Sequence, residues 1–158
     1  MRSLVMSNLS VPTLCLIEWQ FLTLDRPSEA SGTRWAKIDL DGKLSTNSAE
    51  RMKAKREHNV PLSLQALEIL DLMKPIRAHR KHVFPSRNNP KQAMNSQTAN
   101  AALKRAGWNG KLVAHGLRSL ACTTLNEKGI NSDFIEAALA HTDKNEARRV
   151  CNRSVYLQ

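Results

Sequence analysis

At 158 residues the chain is long enough for one domain with a proper hydrophobic core and too short for two of ordinary size. Its 24 Lys plus Arg exceed its 14 Asp plus Glu by ten, and the excess is concentrated: no acidic residue occurs from Leu72 to Asn126, where Lys74, Arg77, Arg80, Lys81, Arg87, Lys91, Lys104, Arg105, Lys111 and Arg118 all fall. Such a field draws in a polyanion by releasing its counterions, and with one Tyr, three Phe and three Trp the chain is poor in stacking platforms for single strands, so duplex DNA is the better fit than single-stranded nucleic acid. A solvated basic face is the plainer alternative.

Cys15, Cys122 and Cys151 are too few and too scattered for a disulfide framework. No Cys-x-x-Cys pair or close Cys/His cluster suggests zinc, so neither metal nor cofactor is called for. The expected setting is a reducing, cytoplasmic one. Glu18 interrupts the apolar patches of residues 1–24, leaving no clear signal-type segment and no span of membrane-crossing length.

In chain order, Val11 to Leu24 reads as a buried helix leading into Asp25-Arg26-Pro27-Ser28-Glu29. Pro27 suits the first turn of a second helix that starts near Arg26 and stops soon, at Gly32. Trp35 to Leu40 alternates apolar and polar residues and ends on Asp41-Gly42, the pattern of a strand entering a hairpin. A weakly written strand near Leu44, then extended stretches at Arg51–Lys55 and His58–Leu62, complete a small antiparallel sheet carrying Lys53, with Pro61 at a sheet edge or end.

Ser63 is a candidate N-cap for a helix over Leu64–Met73, which Pro75 is expected to end. Val83-Phe84-Pro85 is a short extended segment before a polar loop. Ala99, Ala102, Leu103 and Ala106 recur at helical spacing, with Gly107 as the stop. Leu117, Leu120, Ala121, Thr124 and Leu125 form the stripe of another helix that exits at Gly129. Asn131 or Ser132 caps a further helix, expected to bury Phe134, Ile135, Ala138 and Leu139. Residues 145–157 are polar and basic enough for a final short helix.

His115-Gly116-Leu117-Arg118 places His115 and Arg118 on one helix face, away from the apolar stripe. Alone that pair is weak: a basic helix start is unremarkable, Arg26 could simply pair with Glu29, Lys53 could be an edge-strand lysine, and His141 could answer a helix dipole. Their order carries more. Arg26 follows an apolar helix, Lys53 lies in Met-Lys-Ala-Lys-Arg-Glu-His-Asn-Val-Pro-Leu-Ser, and then come His115-x-x-Arg118 and Leu139-Ala140-His141. This order resembles the tyrosine recombinases, particularly integrases of phages and genomic islands. Supporting wording includes Arg-Pro-Ser-Glu and Arg-Trp-x-x-Ile-Asp in residues 26–39, Ala49 to Lys53, Val83-Phe84-Pro85-Ser86, Asn152-Arg153 and Tyr156-Leu157.

The resemblance implies an α+β, mainly helical catalytic domain with a small antiparallel three-stranded sheet. It covers residues 21–158, leaving 1–20 as a poorly matched lead-in and a chain short at both ends beside full-length integrases. It implies DNA integration and site-specific recombination by phosphodiester transesterification, without a cofactor, on double-stranded DNA and alongside other integrase protomers. Arg26 and Arg118 would clamp the nonbridging phosphate oxygens, whose charge grows in the transition state. Lys53 would protonate the departing 5′-oxygen, with His115 and His141 bonding the phosphate or handling the nucleophile's proton. Lys55, Arg56, Lys104, Arg105 and Lys111 are candidate DNA contacts.

The pattern breaks at the nucleophile. In the register where these integrases carry tyrosine, Arg149-Val150-Cys151-Asn152-Arg153 places Cys151, and Tyr156 follows five residues later. On a helix that offset is about 7.5 Å of rise and roughly 140° of rotation. Two readings therefore stand: an integrase catalytic domain whose own strand transfer is in question, and a noncatalytic DNA-binding fragment or decayed integrase.

Overall fold

The computed structural model describes residues 9–47, 57–77 and 79–139. Its element order is α1 (Val11–Thr23), α2 (Pro27–Ser31), a 3-10 turn (Trp35–Lys37), β1 (Ile38–Asp39), β2 (Leu44–Asn47), β3 (His58–Pro61), α3 (Leu64–Arg77), α4 (Thr98–Leu103), α5 (Ala114–Glu127) and α6 (Ser132–Ala138). Among the described residues no helix is long and apolar enough to cross a membrane.

Helix α1 is the axis of the domain, apolar on nearly every side. Cys15, Leu16 and Trp19 join Leu62, Ala66, Ile69, Leu70, Met73, Val83 and Phe84 in one cluster, while Ile17 joins Ala99, Ala102, Leu103, Ala114 and Leu117 in a second. Just past its end, Leu24 enters a third with Ala121, Cys122, Ile135 and Leu139. Trp19 and Phe84 are fully buried, with ring centroids 6.0 Å apart. Burial of this kind is worth about 1.5–3 kcal/mol per large apolar side chain, so one helix organises both halves of the core. Glu18 is the exposed break in it.

The sheet has order β1-β2-β3 with both pairs antiparallel; Asp39 faces Leu44, and Leu44 also faces Pro61. Pro61 ends an edge strand, as its missing N–H requires. The first strand is shorter than its alternation suggests. Residues 33–35 are drawn toward the segment after α3 instead: Val83 N donates to Thr33 O at 3.0 Å and Trp35 N to Lys81 O at 3.3 Å, and Trp35–Lys37 coils into a 3-10 turn. The hairpin connection is the four residues Leu40–Lys43, not a two-residue Asp-Gly turn, and the left-handed residue is Lys43 (φ 52°). Gly42 serves by lacking a side chain: its N–H bonds Asp39 Oδ1 at 2.9 Å, and a Cβ there would stand 2.4 Å from Asp39 Oδ2.

Three helical expectations need correction. Ser63 does cap α3, accepting from Ala66 N at 3.3 Å, but the helix runs through Pro75 to Arg77. Pro75 lies in the last turn, where it and Asp71, whose carbonyl it leaves without an intrahelical donor, are both exposed residues. On α5, Leu120 is 48% exposed, and the buried face is Ala114, Leu117, Arg118, Ala121 and Cys122. On α6, Asn131 is the cap, accepting from Asp133 N at 2.8 Å, but Phe134 is 72% exposed while Ile135 and Leu139 are buried. Helix α4 ends as its sequence suggests, running into a wider turn over Lys104–Trp108 that Gly107 closes at φ 87°. Of the described cysteines, Cys15 is buried and Cys122 is disulfide-bonded, which the scattered cysteines had not suggested.

Candidate active site

The corner between α1 and α2 is where the site is assembled. Leu24 leaves α1 in the left-handed conformation (φ 57°, ψ 20°), which turns the chain so that Arg26 becomes the N-cap of α2 with Pro27 in its first turn. Glu29 reaches back over that turn, its Oε2 accepting from Arg26 N at 2.8 Å and its Oε1 from Arg26 Nη1 at 3.0 Å. The Glu29 side chain is 3% exposed and that of Arg26 18%. A buried carboxylate thus fixes both the backbone and the guanidinium of Arg26, leaving the arginine's outer edge toward solvent.

Helix α5 is aimed at the same corner by its neighbours. Gln20 of α1 donates from Nε2 to Ala114 O at 2.6 Å, and Asn100 of α4 accepts from Ala114 N, supplying the cap that Val113 cannot. One turn on, Arg118 is buried with Leu117 and Ala121, against the expectation that it lies with His115 away from the apolar stripe. Its Nη1 donates to Leu24 O at 2.6 Å and its Nη2 to Leu139 O. The reason is geometric: residue 118 sits between Leu117 and Ala121, in the angle where α5 meets α1 and α6. His115 stays exposed on the first turn of α5.

Arg118 reaches the corner through Leu24 O, two residues before Arg26, and the charges of both arginines and of Glu29 bear on His58. Burial pushes the His58 imidazole below its ordinary value, with Arg118 and Arg26 adding to the lowering, against a hydrogen bond to the Ala138 backbone and the charge of Glu29. His58 Nε2 is buried without a hydrogen-bond partner. Asp25 lies in the same corner, 2% exposed, bonded by Thr23 Oγ1 at 3.0 Å and Asn47 Nδ2 at 2.7 Å. Burial, then the charge of Glu29, pushes its carboxyl up to about 7, although the two hydrogen bonds and Arg118 pull it down.

Lys104, Arg105 and Lys111 are exposed around the turn after α4, with Arg105 Nε donating to Ala101 O at 3.3 Å. Lys53, Lys55, Arg56, His141, Cys151 and Tyr156 lie outside the described residues. Glu29, Asp25, Asn47 and His58 escaped the sequence reading as members of the site. For His58 a signal existed: it shares a strand face with the buried Val60, two residues on.

The fold and these motifs can be set beside known proteins. The family model described as the phage integrase family matches residues 2–154. The chain belongs to the phage integrase family. Among its relatives in that family, the prophage integrase IntA of Escherichia coli (strain K12) is 55% identical over 158 residues, all of this chain and 38% of that protein. The integrase of Enterobacteria phage P4 is 33% identical over 153 residues, covering 87% of this chain and 35% of that protein. This family member therefore spans little more than a third of the length of the curated relatives it matches. A lambda integrase dimer bound to a COC′ core site shares the fold at TM-score 0.78 and 19% identity, over 98% of this chain and 46% of that one. XerA recombinase does so at TM-score 0.70 and 17% identity, over 92% and 60%. The fold is accordingly that of the tyrosine recombinase catalytic domain, mainly helical with a small antiparallel sheet.

Proposed function

We propose that this chain is the catalytic domain of a phage-type integrase, serving DNA integration and site-specific recombination, with Arg26 and Arg118 as the clamp on a DNA phosphate. The single observation that carries this reading is the corner at residues 24–26, where an arginine fixed by Glu29 and an arginine from α5 share their neighbours. Two forked cations at one point suit a phosphate whose nonbridging oxygens gain charge as the nucleophile attacks. In the family reaction a tyrosine oxygen bonds to phosphorus, the 5′-oxygen departs with a proton from the general acid, and a 3′-phosphotyrosyl link remains. Lys53 is the proposed acid, with His115 and His141 bonding the phosphate or moving the nucleophile's proton. The lambda integrase relative is described on a core site and, in another state, as a tetramer on a Holliday junction; duplex DNA and further integrase protomers are the partners proposed here. A bacterial cytoplasmic, nucleoid-associated setting goes with that role.

Cys151 in the nucleophile register favours a second reading, a noncatalytic DNA-binding fragment or decayed integrase. A thiolate is a capable nucleophile, but cysteine is shorter than tyrosine and in-line attack is demanding in geometry. A nicked suicide duplex in reducing buffer, scored for a covalent protein–DNA adduct on a denaturing gel, separates the two. An adduct in the parent that disappears in Cys151→Ser or Tyr156→Phe names the nucleophile. An adduct only in Cys151→Tyr shows a working pocket that lacks its nucleophile. Silence in every form, Cys151→Tyr included, removes the catalytic reading and leaves DNA binding.

A further inference from the structure

The corner that holds the two arginines also buries a carboxyl group that no phosphate chemistry calls for. Asp25 stands between Leu24, whose carbonyl holds Arg118, and Arg26, whose guanidinium holds Glu29. Its Oδ1 accepts from Asn47 at the end of β2, and its Oδ2 meets Thr23 Oγ1. One side chain thus ties α1, the α2 corner and the last described residue of the strand from which the chain continues toward Lys53.

The hydrogen count at Thr23 says which form of Asp25 fits. A hydroxyl carries one hydrogen, and Thr23 Oγ1 lies 2.8 Å from Trp19 O and 3.0 Å from Asp25 Oδ2. A carbonyl can only accept, so when the hydroxyl's hydrogen serves Trp19 O at the shorter distance none is left for Asp25 Oδ2. The remaining contact is then satisfied by a proton on Oδ2 that donates to Thr23 Oγ1. An ionised Asp25 would set two acceptors competing for one hydrogen, beside the buried Glu29 carboxylate.

We propose that Asp25 is a positioning residue for the Arg26–Arg118 pair, working in its neutral form, so that loss of its proton loosens the corner and weakens the hold on phosphate. The upward push on this carboxyl to about 7 sets that loss near neutral pH. Other charged groups face the corner. Glu29 comes from α2 and Arg118 from α5, and from β3 His58 faces Glu29, Arg26 and Arg118. The His58 contribution has the opposite sign, since an imidazole held below its ordinary value gives stability that rises with pH. It is common to parent and Asp25 variants and cancels in their difference.

The proposal rests on the reading of Arg26 and Arg118 as phosphate ligands, and two measurements on the full chain keep the two ideas apart. The parent, Asp25→Asn and Asp25→Leu are compared from pH 5.5 to 8.5 at fixed ionic strength, for thermal unfolding without DNA and for affinity to a short labelled duplex by anisotropy. Asparagine keeps the neutral hydrogen-bonding pattern, with Nδ2 donating to Thr23 and Oδ1 accepting from Asn47; leucine removes it. Relative to Asp25→Asn, the parent's melting temperature is expected to fall as pH rises through 7. Its DNA affinity is expected to drop about tenfold over the same range, the equivalent of one pKa unit of coupling, while Asp25→Asn stays flat and Asp25→Leu binds weakly throughout. Parallel melting curves for parent and Asp25→Asn overturn the proton, and differing melting curves with parallel affinity curves overturn the positioning role. Binding by Asp25→Leu equal to that of Asp25→Asn overturns it too. A parent that binds no DNA at any pH sinks the phosphate-clamp reading and the positioning role with it, while the melting curves still decide whether Asp25 carries a proton.

Discussion

A guanidinium taken out of water must have its donors answered, and Arg118 places two of them on main-chain carbonyls, Leu24 O and Leu139 O. Those carbonyls belong to the end of α1 and the end of α6, so the side chain that would hold a phosphate also joins two helix termini. Truncation removes both roles. Arg118→Ala is expected to cost about 2–4 kcal/mol, because it strands buried carbonyls as well as opening space, and urea unfolding should show a lower midpoint at unchanged slope. Arg118→Lys should recover less than half of that, since an ammonium lacks the planar fork that spans two acceptors. A midpoint within error of the parent for Arg118→Ala would mean the two carbonyls do not depend on it. Arg26 differs in kind: it is partly exposed and its partner Glu29 bonds its backbone too. Arg26→Ala is expected to cost only about 1 kcal/mol of stability but to lose most of the affinity for duplex DNA, measured by anisotropy.

Elements repeat the same tension between local rule and packing. Pro75 is a helix breaker by its own chemistry, yet α3 continues through it, because Ile69, Leu70 and Met73 anchor the preceding turns in the core. Pro75→Ala should therefore stabilise the chain by about 1 kcal/mol, restoring one backbone bond at an exposed turn; a lower melting temperature in that variant would show the proline to be fitted to its site. Phe134 is the reverse case, an apolar residue at a helical-stripe position that packing leaves in water. Phe134→Ser is expected to change stability by less than about 0.5 kcal/mol, where Ile135→Ser, at 2% exposure, should cost several times more. These two residues show what periodicity could supply. Among the described residues the stripes located the long helices, though α3 runs past its expected end to Arg77, and Pro27 and Gly32 located the short α2; spacing fixes which residues can share a face. They could not say which edge of a stripe meets a neighbour, so Leu120 and Phe134 were assigned inward and Arg118 outward. The strand at Trp35 was overdrawn for a related reason: its competitor, the segment around Lys81 to Val83, lies far away in sequence. Motif order named Arg26, His115 and Arg118 as site residues, whereas Asn47 joins the corner only through its bond to Asp25, 22 residues away, and His58 comes to it from β3.

At the scale of the whole molecule the decisive quantity is charge and where it faces. The excess of ten positive charges is not spread evenly, and Lys104, Arg105 and Lys111 stand exposed around the turn that leads into α5, the helix that carries Arg118. A duplex whose one phosphate is held by Arg26 and Arg118 and which reaches these three would neutralise about four phosphates, so the logarithm of affinity should fall against the logarithm of salt with a slope of about −3 to −4. Replacing Lys104, Arg105 and Lys111 together by glutamine should reduce that slope by about 3 units and weaken binding to all duplex sequences alike, because backbone contacts carry no base information. Exposed lysines cost little to replace, so the triple variant should melt within a few degrees of the parent. A slope near −1 in the parent, unchanged by the triple substitution, would mean that the basic turn lies off the DNA path and that the two corner arginines bind alone.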